Sequence, residues 1–197
     1  MGRFERDNTE LLELDNIDSL IRKIVREHGS VKLEDMGLKP YLVPSDYESI
    51  SFSLEKEDPC VVDHHLHPLY DVLKKADVPH YVTAPIGEAV INAYVHGNKK
   101  SDKPVAVHYK DNGDHVHVLV EDKGGRLDPE FVSYLLRHRS QGYNPGFTFY
   151  DFAGVGEPDE RGGVGTIVMH RYSDGIGYHM SPEGGLIVSL RFNKPNR

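Results

Sequence analysis

Apolar and polar positions alternate along this chain with periods that change from segment to segment. From Asn16 to His28, Ile17, Leu20, Ile21, Ile24 and Val25 recur at the spacing of an amphipathic helix that stops at Gly29. Gly37, Pro40 and Pro44 break up the chain that follows. Ile50, Phe52 and Leu54 then alternate with serines, the pattern of a strand with one buried face. Leu66 to Ala76 reads as a helix, with Pro68 tolerable only in its first turn. The next helix either opens near Pro85, with Thr83 by its cap, or runs kinked from Pro79. Val105, Val107 and Tyr109, the turn Asp111-Asn112-Gly113-Asp114, and Val116, Val118 and Val120 predict a β-hairpin. A helix is expected from Asp128 to about Arg137. Residues 139–160 are rich in Gly, Pro and aromatics without a period, and too long for an ordinary connection. A helix from about Gly165 to Tyr172 and strands at Gly177–Met180 and Leu186–Phe192 complete the chain. This order predicts an α+β, two-layer sandwich: a mixed, mostly antiparallel sheet with helices on one face. Residues 1–45 read as an extension carrying one amphipathic helix, and residues 46–197 as the compact domain.

Composition narrows the function. The 197 residues suffice for one well-cored domain plus an extension. Lys and Arg total 23 against 31 Asp and Glu, a net charge of −8 that argues against nucleic acid or an anionic membrane as partner. No apolar run approaches the ~20 residues of a membrane span. The N-terminus lacks the apolar core of a signal peptide, and Met1-Gly2 lacks the Ser/Thr of a myristoylation signal. A single Cys60 excludes an internal disulfide framework and fits a reducing cytosol, so a cytoplasmic protein is expected. His64-His65-Leu66-His67 has no accompanying ligand motif and reads as a solvated helix entry rather than a zinc site.

Three segments carry chemistry. In Ile86-Gly-Glu-Ala-Val-Ile-Asn-Ala-Tyr-Val-His96-Gly97-Asn98, Glu88, Asn92 and His96 recur every fourth residue and share a helix face. Ile86, Val90, Ala93 and Gly97 line roughly the opposite face. A carboxylate one turn from an amide can place a base beside a metal-bound phosphate. In Glu121-Asp122-Lys123-Gly124-Gly125, an acidic strand end followed by paired glycines suits a ligand amine near a close backbone approach, or an ordinary turn. In Asp159-Glu160-Arg161-Gly162-Gly163-Val164-Gly165-Thr166, a glycine-rich loop enters a helix, where backbone N–H groups bind phosphate or merely cap. Arg161 at its lip can contact a terminal phosphate. No P-loop motif is present, and Asp151-Phe152-Ala153-Gly154 lacks the partners of a protein-kinase metal motif.

In this order and spacing the three segments resemble the boxes of the GHKL ATPases, the superfamily of gyrase, histidine kinases and MutL. Within it the resemblance is closest to the bacterial anti-sigma-factor serine kinases. Gly87-Glu88-Ala89-Val90-Ile91-Asn92-Ala93 with His96-Gly97 is similar to their N box, Glu121-Asp122-Lys123-Gly124 to their first glycine box, and Glu160-Arg161-Gly162-Gly163-Val164-Gly165 to the end of their ATP lid, here about 139–165. The resemblance implies Glu88 as general base, Asn92 as Mg²⁺ ligand and Asp122 as acceptor of the adenine amine, with Gly124 admitting the ring. It further implies Arg161 at the γ-phosphate, with Gly162, Gly163, Gly165 and Thr166 along the phosphates. Three departures stand out: Arg126 where many members have glycine, Gly184-Gly185-Leu186 in place of Gly-Thr, and a long Asp128–Arg161 segment. The implied activity is transfer of the ATP γ-phosphate to a serine or threonine of a partner, such as a sigma factor or its antagonist. A homodimer is compatible with this. The alternatives are a non-catalytic ATP-binding interaction module and a simple ATPase of the same fold.

Overall fold

The computed structural model describes residues 3–4, 31–32, 38, 40–127 and 165–195. The expected helices at 16–28 and 128–137 and the stretch at 139–160 lie outside them.

Eight strands are described: β1 Arg3–Phe4, β2 Val31–Lys32, β3 Glu48–Phe52, β4 Val105–Asp111, β5 His115–Glu121, β6 Arg126–Leu127, β7 Gly175–Met180 and β8 Leu186–Asn193. Six form one sheet in the order β1-β7-β8-β5-β4-β3. Its pairs are antiparallel except β1 with β7, which run parallel through Arg3↔Gly175 and Phe4↔Ile176. β2 and β6 form a separate antiparallel pair. The β4–β5 hairpin closes where the sequence predicts: Gly113, at φ 91°, supplies the turn, and its N–H donates to the Asp111 carboxylate at 2.8 Å.

Alternation along the strands divides the sheet into two faces. Val105, Val107, Val116, Val118, Val120, Leu190 and Phe192 point into the core, where they meet Leu66, Leu69, Ile86 and Val90 of the helices. Each such side chain contributes about 1.5–3 kcal/mol by leaving water. His108, His117, Ser189 and Glu121 lie on the other face, joined through polar contacts. This is the two-layer α+β arrangement the sequence implies.

The helices are α1 Pro59–Lys75, α2 Thr83–Asn92 and α3 Gly165–Tyr172. α1 corrects the expectation for Pro68. The helix starts earlier, because the Asp58 side chain caps it by accepting the Cys60 N–H at 3.0 Å and Pro59 fills the first position. Pro68 therefore sits inside the helix, where its missing N–H falls on the exposed side and water can meet the carbonyl left over. α2 is preceded by a 3₁₀ turn at His80–Val82 and followed by a π-turn at Ala93–Gly97, so the helical path starts beside Pro79 rather than at Pro85. The Asn98 N–H donates to the Ala93 carbonyl at 2.7 Å, five residues back, which is the mark of that π-turn.

The chain before β3 is tied to the sheet near β7. Leu38 is buried in the core, and the Tyr41 N–H donates to the Met180 carbonyl at 2.8 Å. Among the described residues no helix is long and apolar enough to cross a membrane.

Candidate functional site

α2 packs against the sheet and α3 and carries Glu88 and Asn92 about one turn apart, about 6 Å along the axis. Glu88 is partly buried with no compensating charge described near it, and that desolvation raises its carboxyl above the usual range. The Asn92 amide nitrogen is fully buried and has no hydrogen-bond partner among the described residues. Buried polar groups are nearly always paired, so an orphan of this kind marks a place built for something else.

The first residue of α3 lies over this pair. A β-carbon on Gly165 would stand 2.5 Å from a Glu88 carboxylate oxygen and 3.5 Å from the Asn92 amide nitrogen. Glycine lets the start of α3 come this close without pushing the Glu88 carboxylate aside, and the approach brings a helix N-terminus to the carboxylate and the amide. Arg161, Gly162 and Gly163 lie outside the described residues, as does the Thr166 side chain.

A second part of the site is built around Asp122, in the loop after β5. One carboxylate oxygen accepts the Gly124 N–H at 2.8 Å and the Leu186 N–H at 3.2 Å, and the Asp122 N–H donates to the Leu186 carbonyl at 3.0 Å. Asp122 is almost wholly buried. Burial is the main cause that pushes its carboxyl up, and the nearby Glu121 charge adds to it; the two N–H donors oppose the shift, and the result is about 6. Three glycines shape its surroundings. A side chain on Gly97 would overlap the Asp122 carboxylate, one on Gly124 would overlap the Gly97 carbonyl oxygen, and one on Gly185 would overlap the Asp122 carbonyl oxygen. The side-chain-free surface at Gly124 is thus needed by the π-turn, a packing demand the sequence does not announce. Leu186 takes part through its backbone, while its side chain is buried in the core. The hydroxyl missing from position 186 leaves the main-chain contacts to Asp122 in place.

Glu121, beside Asp122, faces the other way. It accepts from Ser181 Oγ at 2.5 Å and from Lys123 Nζ at 2.7 Å, and lies 3.2 Å from His108 Nε2. Although burial alone would raise its carboxyl, these hydrogen bonds hold it down at about 2. It is a structural anion at the loop base. Asn98, also missed by sequence reasoning, is buried at 3% exposure and accepts the Lys123 N–H at 2.8 Å. The one hint was its place directly after the His-Gly that ends the helix.

The order of these parts (carboxylate-amide helix, buried aspartate at a strand end, glycine at a helix entry) coincides with a family match. Residues 75–192 match the histidine kinase-like ATPase domain. The chain belongs to that family. The match spans α2, the hairpin, α3 and the last two strands, so every described part of the site lies within it. No curated protein matches the chain. As a histidine kinase-like ATPase domain the protein is an ATP-binding module, and the resemblance to the GHKL ATPases holds at that level.

The residues present fit the expected groups. An unpartnered buried amide N–H beside a desolvated carboxylate suits a phosphate oxygen, and the oxygen of the same amide is the atom that could meet Mg²⁺. A buried carboxylate with one oxygen engaged by main-chain N–H groups leaves the other for an amine. Among the described residues no cluster of three or more metal-ligating side chains exists.

Proposed function

We propose that this histidine kinase-like ATPase domain is an ATP-dependent regulatory kinase that transfers the γ-phosphate to a serine or threonine hydroxyl of a partner protein. The observation that carries the proposal is the Glu88–Asn92 pair beneath Gly165: a carboxyl group with raised proton affinity one helical turn from an orphaned amide, with a helix N-terminus closing over both.

In this reading Asn92 would hold Mg²⁺ through its side-chain oxygen. Bound Mg²⁺ would neutralise phosphate charge and orient the chain of oxygens. Glu88 accepts the proton of the attacking hydroxyl. Desolvation raises its proton affinity and so brings it nearer the working range of a general base, an effect worth ~10²–10⁴-fold. Gly165 and Thr166 would offer helix N-terminal N–H groups to the phosphates, and Arg161, Gly162 and Gly163 would complete the phosphate contacts. Asp122 would fix adenine by accepting a hydrogen of its amino group. The partner class, a sigma factor or its antagonist, rests on the resemblance of the boxes to the anti-sigma-factor serine kinases, as does a possible homodimer.

The test is phosphate transfer from Mg·ATP to proteins that co-purify with the chain, followed by mass spectrometry. Glu88→Gln is expected to bind ATP and transfer nothing. Absence of transfer to any co-purifying protein by the wild type sinks the kinase reading and leaves an ATP-binding module. Failure to bind Mg·ATP at millimolar concentration would remove both.

A further inference from the structure

The two parts of the site, Glu88–Asn92 and Asp122, sit on different elements, and one buried side chain joins them. The π-turn that ends the α2 path delivers Asn98 beneath the Asp122 loop, where its side-chain oxygen accepts the Lys123 N–H at 2.8 Å. Its side-chain nitrogen donates to the carbonyls of Lys103 at 2.9 Å and Pro104 at 3.2 Å. Its own N–H closes the π-turn on Ala93, and its carbonyl accepts the Ser101 hydroxyl at 2.6 Å. Asn98 therefore ties together the end of the Glu88–Asn92 helix, the entry to β4 and the residue between Asp122 and Gly124.

The tie bears on Asp122 in particular. Asp122 is held by the Gly124 and Leu186 N–H groups through one oxygen while the other lies against Gly97, and Lys123 is the residue between the anchor and the glycine. The Lys123 side chain turns away to Glu121 and Glu183 and its carbonyl accepts Lys103 Nζ at 3.1 Å on the exposed side, while its N–H goes to Asn98. Gly97, the preceding residue, is in direct contact distance of the Asp122 carboxylate. A chain without the Asn98 oxygen leaves a half-buried N–H unpaired and frees the loop to carry Asp122 off its line.

We infer that Asn98 is a positioning residue for purine selection: it sets the Asp122 carboxylate so that a 6-amino purine is preferred over a 6-oxo purine. This rests on the ATP-site reading of Asp122, and the experiment separates the two. Affinities for Mg·ATP and Mg·ITP are measured by titration calorimetry on the full chain, for wild type, Asn98→Ala and Asn98→Ser. ITP presents the same phosphates and ribose but has no 6-amino hydrogens to donate. Wild type is expected to favour ATP. Both variants are expected to lose ~10-fold or more of that preference, the scale set by a hydrogen bond to a charged group, through weaker ATP binding with ITP binding unchanged. Serine is included as a second truncation that, like alanine, cannot reach the Lys123 N–H but keeps a polar group in the vacated space. An unchanged ATP-to-ITP ratio overturns the inference, and so does a parallel loss of both affinities, or of folding, in both variants, since Asn98 would then only hold the fold together. A wild type without preference overturns the adenine reading of Asp122 itself, whatever the variants do.

Discussion

Asn92→Leu separates stability from function. The Asn92 amide nitrogen is buried without a partner among the described residues, and such a group costs about 1–3 kcal/mol in lost hydration. Leucine has the same branching and the same count of side-chain heavy atoms, removes that cost, and is the better helix former by about 0.5 kcal/mol on a position at the end of α2. The nucleotide-free variant is therefore expected to be more stable than wild type by about 2 kcal/mol, or ~4–8 °C in melting temperature for a chain of this size. Mg·ATP reverses the order. At a concentration a hundred times its dissociation constant it stabilises wild type by ~2.7 kcal/mol, and under the proposed role of Asn92 it has little to offer a variant without that amide. Thermal melts with and without Mg·ATP should cross: variant above wild type without nucleotide, wild type level with or above the variant with it. A nucleotide-free variant that melts more than about 2 °C below wild type would show that the amide has a partner in the folded chain. A variant that keeps the full Mg·ATP shift would remove Asn92 from the site.

Other expectations follow from particular atoms. The Asp122 carboxyl titrates at about 6 in the folded chain against an ordinary value of 3.8, so the ATP-over-ITP preference should be present above pH 6 and fade as pH falls through it, the ratio cancelling the titration shared by the phosphates. In the same window the folded chain binds a proton the unfolded chain does not, so this group makes stability fall as pH rises from about 4 to 6, measurable as a flattened pH–stability profile that Asp122→Asn steepens. Gly124→Ala should cost at least ~1–3 kcal/mol in a urea titration, because its new methyl would meet the Gly97 backbone oxygen, which cannot rotate away. Gly87→Ala, with nothing within 4 Å of its added carbon inside α2, should gain ~0.5–1 kcal/mol by the same assay; equal losses in both would refute the packing account. Asp58→Ala should lower the urea midpoint through loss of the α1 cap.

The elements legible in the sequence are those whose signals are local. Val105 to Val120 alternate about a Gly-containing turn, and the hairpin forms there; Gly165 to Tyr172 is a helix with the predicted ends. Glu88 and Asn92 share a face because helical spacing requires it. What could not be read depends on contacts distant in sequence. Pro68 argued against the first half of α1 because the cap at Asp58 and the exposure of the Pro68 side are facts of the fold. Gly124 carries a signal for flexibility, yet its reason is the Gly97 carbonyl, 27 positions away in the chain. Asn98 is one more polar residue after a helix until the Lys123 N–H arrives 25 residues later. The pairing of Arg3–Phe4 with β7 spans nearly the whole chain and leaves no periodic trace.

The π-turn at Ala93–Gly97 makes part of this site a matter of counting. One extra residue is wound into the helix between Asn92, which lies beneath Gly165, and Asn98, which holds the Lys123 N–H. Removing a single residue from that stretch would let it relax to an ordinary α-turn and rotate everything beyond it by about 100° around the helix axis, because each residue advances a helix by that angle. Gly97 would leave the Asp122 carboxylate and Asn98 would leave Lys123, with every side chain of the site still present. The segment therefore tolerates changes of letter better than changes of length, and a relative shortened there by one residue would keep the recognisable boxes while losing the alignment that makes them one site.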